Sequence, residues 1–439
     1  MLIVNARLAN EGRITEGSLR IRQGRIAAIG PSLAAEPNEK VFDARGRLLM
    51  PGMIDDQVHF REPGFPAKGN IASESAAAVA GGITSFFDMP NTVPNATKRE
   101  VLAQKYTLAA GRAYANYSFY FGGANDNLEE IKRLQPDEAC GVKVFMGAST
   151  GNMLVDDPKT LEGIFQHCPF LIATHCEDTP TVKANEEKYR AEFGEHVPVT
   201  AHPLIRSEEC CWKSSTLATG LAKKYGANLH VLHLTTAKEL ALFEPGNKRI
   251  TAEVCVHHLF FNDSAYGPLG NRVKCNPAIK REEDRAALVR GVRDGHITLI
   301  ATDHAPHTAE EKAQPYVKAP SGLPLVQHAL PMLFDLAARG ELDVSTVVSK
   351  TTHAVVERFG IRERGYLREG YFADLTLVDL DAETVVTPES LRYRCAWSPL
   401  EGRRLKGRVD ATWVNGELAY SDGVLSPQAF GERIHFHQP

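Results

Sequence analysis

In GMIDDQVHFREPG, residues 52–64, the apolar start Met53-Ile54 is followed by Gln57, His59 and Arg61 at alternate positions. Side chains two apart on an extended segment point to one face, so the three are presented together. A pair at i and i+2 on a strand end is a way to grip a metal ion, yet one member is Gln, a weak neutral ligand where His is expected. Taken alone, the segment is compatible with a metal site, a damaged one or none.

Seven further strand-like runs follow it: ITSFFDM (83–89), YSFYFGG (117–123), GVKVFMG (141–147), FLIATHC (170–176), NLHVLHL (228–234), ITAEVCVHH (250–258) and ITLIATDH (297–304). Stretches such as NIASESAAAVAGG (70–82) and REEDRAALVRGVRDG (281–295) read as helices between them, with Gly at the exit. Eight strands alternating with helices is the count that closes a (β/α)8 TIM-like barrel, so the fold class expected is α/β. At their C-terminal ends the runs deliver Gln57/His59/Arg61, Asp88/Asn91, Asn125/Asp126, Lys143, His175, His233, His257/His258 and Asp303/His304/His307. In a parallel barrel these ends form one face, the face that carries the chemistry.

Residues 1–50 hold short alternating segments broken by turns, and GYLREGYFADLTLVDLD (365–381) and ATWVNGELAYSDG (411–423) repeat that style near the other end. The expected organisation is a small composite β-sandwich from 1–50 plus 361–439 and a hydrolase barrel over 51–360. Charged residues make up 24% of the chain and the formal net charge is −4, with no long Lys/Arg cluster, which argues against a nucleic-acid surface. The eight Cys show no C-x-x-C pairing and suit packed, reduced thiols in a cytoplasmic protein. No run approaches the ~20 apolar residues of a membrane span, and the start lacks a basic n-region and cleavage site, so neither anchor nor membrane partner is expected.

His59, His175, His233 and Asp303 offer imidazole and carboxylate from four strand ends, a donor set that suits zinc. Lys143 lies inside an apolar strand, where an ammonium is costly unless paired or modified. It is either a snorkelling or Asp303-paired lysine, or one that CO2 has carboxylated to an anion able to bridge two ions. Asp303 in TDHAPH (302–307) combines ligand and general base. The polar segment 308–324 has the profile of a mobile loop at the mouth. Arg61 and Asn91 suit a substrate carboxylate, the bland alternative being an Arg paired with Glu62 or Asp55 and an Asn in a turn. Asn276 in VKCNPAIK (273–280) either caps a turn or touches substrate. The adjacent His257 and His258, on opposite strand faces, read as packing or support for ligands.

With HFREPG (59–64), FFDMPNT (86–92), NPAIK (276–280) and ATDHAPH (301–307) in place, nearly the whole chain resembles the amidohydrolase superfamily, in particular its cyclic-amide group of dihydroorotases, hydantoinases and allantoinases. These four motifs resemble those of the dihydroorotases. The resemblance implies a (β/α)8 barrel with a small β-sandwich from both termini. It implies one or two zinc ions, with His59 and Asp303 on the more buried, His175 and His233 on the more exposed, and a carboxylated Lys143 between them. It assigns Arg61, Asn91 and His307 to the substrate carboxylate, and Asn276 with the backbone around Ser321-Gly322 to the ring. The reaction implied is the reversible cyclisation of N-carbamoyl-L-aspartate to (S)-dihydroorotate in pyrimidine (UMP) biosynthesis, with Asp303 as the proton carrier. Gln57 departs from the His-x-His of the family, which bears on filling of the buried position. Two alternatives stand beside this: a non-catalytic dihydroorotase-like subunit scaffolding a carbamoyltransferase, and a related hydantoinase- or allantoinase-type hydrolase. The resemblance leaves room for a homodimer and for a carbamoyltransferase partner.

Overall fold

Parallel pairing carries all eight strand-like runs round one ring. The computed structural model describes residues 1–147 and 153–437; residues 148–152 of the barrel segment and 438–439 of the C-terminal segment lie outside it. Five strands precede the ring: β1 (Leu2–Asn10), β2 (Arg13–Arg22), β3 (Arg25–Gly30), β4 (Val41–Asp43) and β5 (Leu48–Pro51). The ring takes β6 (Met53–Val58), β7 (Ile83–Asp88), β8 (Asn116–Phe119) with its short continuation β9 (Phe121–Gly122), β10 (Val142–Phe145), β11 (Ile172–His175), β12 (Leu229–Val231), β13 (Ile250–Cys255) and β14 (Leu299–Ala301). β6 to β8 form one parallel ladder and β9 to β14 another. A parallel bridge between Val58 and His304 closes the ring, with the amide of His59 donating to His304 O at 2.7 Å.

These strands are short and buried along their whole length, as parallel strands covered by helices must be. The helix Ile71–Ala80 starts at a capping box on Asn70, and Glu282–Asp294 ends at Gly295 with φ +84°, a left-handed cap that favours glycine. One run departs from expectation. ITAEVCVHH is strand only to Cys255, which pairs with Ala301 at the end of β14. With no further partner to pair, the chain turns into the helix Val256–Phe260, so His257 and His258 are not strand residues.

After the barrel come β15 (Leu375–Val385), β16 (Arg404–Val414), β17 (Glu417–Ser421) and β18 (Val424–Leu425). They join the first five strands in one nine-stranded sheet through antiparallel pairing of β15 with β5. Ile3, Leu19, Leu49, Leu375 and Trp413 form its core. The fold is therefore a TIM-like barrel with a small β-sandwich whose strands come from both ends of the chain.

Asp88, at the end of β7, does not reach the chemistry expected of it. One carboxylate oxygen accepts from the amide of Phe60 at 2.7 Å and the other from Lys105 Nζ at 2.6 Å, while Lys105 also donates to Met89 O at 2.7 Å. Both side chains are fully buried, and together they fix the turn that aims His59 and Arg61. Removing one partner of such a pair leaves an uncompensated charge in the interior. Asp88→Ala is expected to lose ~3–5 kcal/mol of stability, read as a lower midpoint in urea unfolding.

Candidate active site

A cleft holding about 740 Å³ of empty space opens at the C-terminal ends of the barrel strands. Gln57, His59, Arg61, Asn91, Lys143, His175, His233, Asn276, Asp303, His307, Ser321 and Gly322 all line it, which is every residue that the sequence singled out as a ligand or substrate contact. Other strand-end candidates lie elsewhere. Asn125 is turned to Asp156 at 2.8 Å, and buried His304 accepts from the amide of Leu325 at 2.9 Å and faces Glu74 at 2.9 Å.

Two pairs of candidate ligands are prearranged. His59 Nδ1 donates to Asn91 Oδ1 at 2.8 Å, which leaves its Nε2 facing Asp303 Oδ1 at 3.1 Å. His175 Nε2 donates to Glu177 Oε2 at 2.8 Å, which leaves its Nδ1 facing His233 Nε2 at 3.0 Å. Two ligands of one tetrahedral zinc stand roughly 3.3 Å apart, so both pairs have the spacing of metal donors, and the far nitrogens of His59 and His175 have the outer partners such ligands need. Burial holds His175 and His233 below the ordinary histidine range, so both are neutral, as ligands must be. Burial raises Asp303, but the bond to His59 together with the charges of His59, His257 and Lys143 brings the carboxyl below its ordinary value. The residues present fit a divalent ion.

Lys143 is 1% exposed, which excludes snorkelling. Among the described residues its ammonium makes no ion pair: Nζ lies 4.6 Å from the centre of the Phe145 ring, and Asp303 acts on it only as a charge at a distance. Burial lowers its pKa to about 8. Gln57 is buried too, with Oε1 accepting from Cys255 Sγ at 3.6 Å.

The opposite wall carries the Arg61 guanidinium and His307, with Lys68, itself ion-paired to Glu311 at 2.8 Å, outside the cleft lining. Arg61 Nε donates to Pro306 O at 3.0 Å and its Nη2 meets His307 Nε2 at 3.1 Å, while Lys68 Nζ meets His307 Nδ1 at 3.1 Å. Neither bland partner holds Arg61: Glu62 is bound by Arg112 at 2.9 Å and Asp55 by Thr302 at 2.6 Å. Burial, then Arg61, Lys68 and Lys312, push His307 far below its ordinary range and keep it neutral. Asn276 Oδ1 is buried without a hydrogen-bond partner among the described residues.

The segment 308–324, expected as a mobile loop, is tied down. Lys312 Nζ donates to Lys274 O, Pro320 O and Gly322 O, each at 3.0 Å, and Lys274 Nζ donates to Tyr316 O and Ala319 O at 2.7 and 2.6 Å. Gly322 has φ +144°, and a Cβ there would lie 2.3 Å from Ala305 O. Arg61, His233 and Asp303 are non-glycine residues with φ of 69°, 42° and 48°. Such backbone costs on the order of 1–3 kcal/mol each and gathers where side chains must be aimed.

Glu177, Lys68, Lys312 and Glu74 are contributors that the sequence reading missed. Glu177 carried a signal, since a carboxylate two places after a strand-end His falls on the same side of the extended chain. Lys68 lies in an irregular segment and Lys312 at the end of the short helix Ala309–Lys312, and neither shows one.

The model of the amidohydrolase family matches residues 48–419. A dihydroorotase of Bacillus subtilis is 33% identical over 442 residues, covering 97% of this chain and 99% of its own length. A dihydroorotase of Methanosarcina mazei is 31% identical over 98% of this chain and 95% of its own. Among solved structures, the L-hydantoinase (dihydropyrimidinase) of Arthrobacter aurescens superposes with a TM-score of 0.93 at 26% identity over 99% of both chains. No described helix is long and apolar enough to cross a membrane.

Glu177 also pairs with Arg206, so its charge is fixed while it orients His175. Glu177→Gln keeps an acceptor for the imidazole but not the charge. It is expected to weaken the affinity for one divalent ion by roughly 10–100-fold, the usual cost of losing an outer partner. Competition with a chromophoric chelator measures this.

Proposed function

The chain belongs to the amidohydrolase family and is a cyclic-amide hydrolase, and from that premise we propose that it is a zinc-dependent dihydroorotase. It interconverts (S)-dihydroorotate and N-carbamoyl-L-aspartate, a step of pyrimidine nucleotide synthesis. The observation that carries this reading is the wall of Arg61 and neutral His307 facing the metal-spaced pairs across one cleft. A hydantoin ring without a carboxylate has no use for that wall, whereas dihydroorotate carries a carboxylate on the ring carbon one methylene away from its scissile carbonyl. The named dihydroorotase relatives support the same choice.

His59 and Asp303 would hold one ion and His175 and His233 a second. Lys143, once its neutral amine has added CO2 and lost a proton, would supply an anionic bridge between them. A divalent ion bound there lowers the pKa of water and polarises the ring carbonyl. Asp303 takes the proton from water as its oxygen attacks the amide carbon, and returns it to the ring nitrogen as the C–N bond breaks. Arg61 presents a guanidinium fork to the substrate carboxylate, with Asn91 and His307 beside it. Asn276 Oδ1, lacking a partner of its own, accepts from a ring N–H. Gly322 brings its backbone close to the ring, where a side chain would collide with Ala305.

A related hydrolase of another cyclic ureide is the second reading, favoured by the close superposition on an L-hydantoinase. A non-catalytic scaffold is disfavoured, because Asp303 and Lys143 both line the cleft.

The deciding assay follows ring opening of dihydroorotate against hydantoin and allantoin at equal enzyme. Dihydroorotate should be preferred, and Arg61→Lys should lower kcat/KM for it by about 10–100-fold, the worth of a charge-assisted hydrogen bond of ~1.5–3 kcal/mol. Faster turnover of hydantoin, or an Arg61→Lys enzyme of undiminished activity, sinks the assignment. Lys143→Ala is expected to be inactive and to regain part of its activity with acetate or propionate, short acids able to occupy the place of the carbamate. A fully active Lys143→Ala enzyme rules the bridge out.

A further inference from the structure

One layer below the cleft, acceptor atoms meet without hydrogens to separate them. Asp56 on β6, His230 on β12 and Glu253 on β13 reach one another across the barrel interior, each with zero exposure. His230 Nε2 lies 3.1 Å from Glu253 Oε2 and 3.7 Å from Asp56 Oδ2. One donor atom from each of the three falls within 4.8 Å of the others.

With both acids ionised, the hydrogen count does not close; burial raises both carboxyls and the charge of Asp56 raises Glu253 further, so the alternative to a bound cation is a proton held between them. His230 Nδ1 is engaged with Thr251 Oγ1 at 2.7 Å, so whichever tautomer the ring adopts, its Nε2 carries at most one hydrogen for two carboxylates. Glu253 Oε1 receives one long bond, from the amide of His233 at 3.4 Å. Neither oxygen of Asp56 has a hydrogen-bond partner among the described residues. A fully buried carboxylate with no donor is among the costliest arrangements a protein interior can hold. The nearby cations Arg358 and Lys143 act on it only as charges at a distance. Lys143 makes no ion pair among the described residues, and Arg358 spends its guanidinium on Asn228 Oδ1, Lys248 O and Leu229 O.

We propose that Asp56, His230 and Glu253 bind a divalent transition-metal ion of the zinc type in the floor of the barrel, separate from any ion in the cleft. The two measured separations bracket the roughly 3.3 Å expected between ligands of one tetrahedral ion. Two carboxylates and one imidazole suit zinc or manganese, and Thr251 on Nδ1 is the outer partner that fixes the ring with its lone pair inward. The ion cancels the two negative charges that the interior otherwise leaves unanswered. Its sealed position means that it is taken up as the chain folds and does not exchange afterwards. Its role is structural, tying β6 to β12 and β13 beneath the strand ends that carry His59 and His233.

The test uses the whole protein and no substrate, so its outcome is independent of the dihydroorotate assay. The purified chain is dialysed against a strong chelator, and zinc and manganese per chain are measured by mass spectrometry before and after unfolding in guanidinium. One equivalent is expected to survive chelation of the folded protein and to be released on unfolding. The near-isosteric Asp56→Asn should lose that equivalent while keeping the ions that chelation removes from the open cleft. A chelated, folded wild-type chain free of metal overturns the proposal, since the carboxylates must then share protons. An Asp56→Asn protein that retains the sealed equivalent overturns it equally. Should Asp56→Asn not fold, the wild-type comparison before and after unfolding decides by itself.

Discussion

The cleft depends on the closure of the ring between its first and last strands. His59 and Asp303 are 244 residues apart, yet they meet at 3.1 Å because Val58 and His304 pair as parallel neighbours. Each lies next to a bridge residue, so the closing ladder fixes their register before any ligand is present. The same ladder carries the amide of His59 to His304 O, which leaves the His59 side chain free to point inward. A one-residue slip would turn both donors to the wrong face, because alternate side chains along a strand face opposite ways. The strained φ angles at Arg61, His233 and Asp303 belong to the same constraint, since they are tolerated only where surrounding pairing overdetermines the backbone.

A second constraint is electrostatic. Lysines 105, 143, 274, 280 and 312 are all buried, and the fold deals with them in different ways. Lys105 has a carboxylate in Asp88; Lys274 and Lys312 have only backbone carbonyls, which they use to hold the 308–324 segment against the cleft. Among the described residues the Lys143 ammonium has neither, and the carbamate proposed for it rests on that. An amine without a partner in a low-dielectric site favours its neutral form, the form that reacts with CO2. The wall opposite is arranged in the reverse sense: His307 is kept neutral beside Arg61, whose charge stays in the cleft, while Lys68 is paired with Glu311.

Much of this could be read in the sequence, for a physical reason. In a parallel barrel each strand end delivers its polar residue to one face, so position along the run is enough to collect His59, Lys143, His175, His233 and Asp303 without knowing any contact. The same rule overreached at Asp88 and Asn125, because an acid or amide at a strand end looks alike in sequence whether it turns to the cleft or to a helix behind it. It failed at His257 and His258, where the apolar run VCVHHLFF has no Gly or Pro to mark the change from strand to helix. Ser321 and Gly322 were accessible only through resemblance. Lys68 was not accessible at all, since its partner His307 is 239 residues away and its own segment has no period. Glu253 and His230 sat in plain view inside apolar runs, but their meeting with Asp56 needs the closed ring.

Gln57 is best understood from what surrounds it. Exchange of an imidazole for an amide changes no formal charge, so the balance among Lys143, Asp303 and an incoming anion is untouched. What changes is donor strength, and the amide oxygen is already engaged by the Cys255 thiol. On the proposed reading the two ion positions are therefore unequal. His175 and His233 form a complete imidazole pair with a carboxylate behind one of them, whereas His59 and Asp303 rely on an amide, Asn91, and share their layer with another amide at 57. An anionic carbamate on Lys143 is the group that would restore the weaker position, because it adds charge where imidazole is missing. On that reading the departure at 57 and Lys143, which has no ion-pair partner among the described residues, are two sides of one arrangement, and a carbamate on the second would give the first its tolerance.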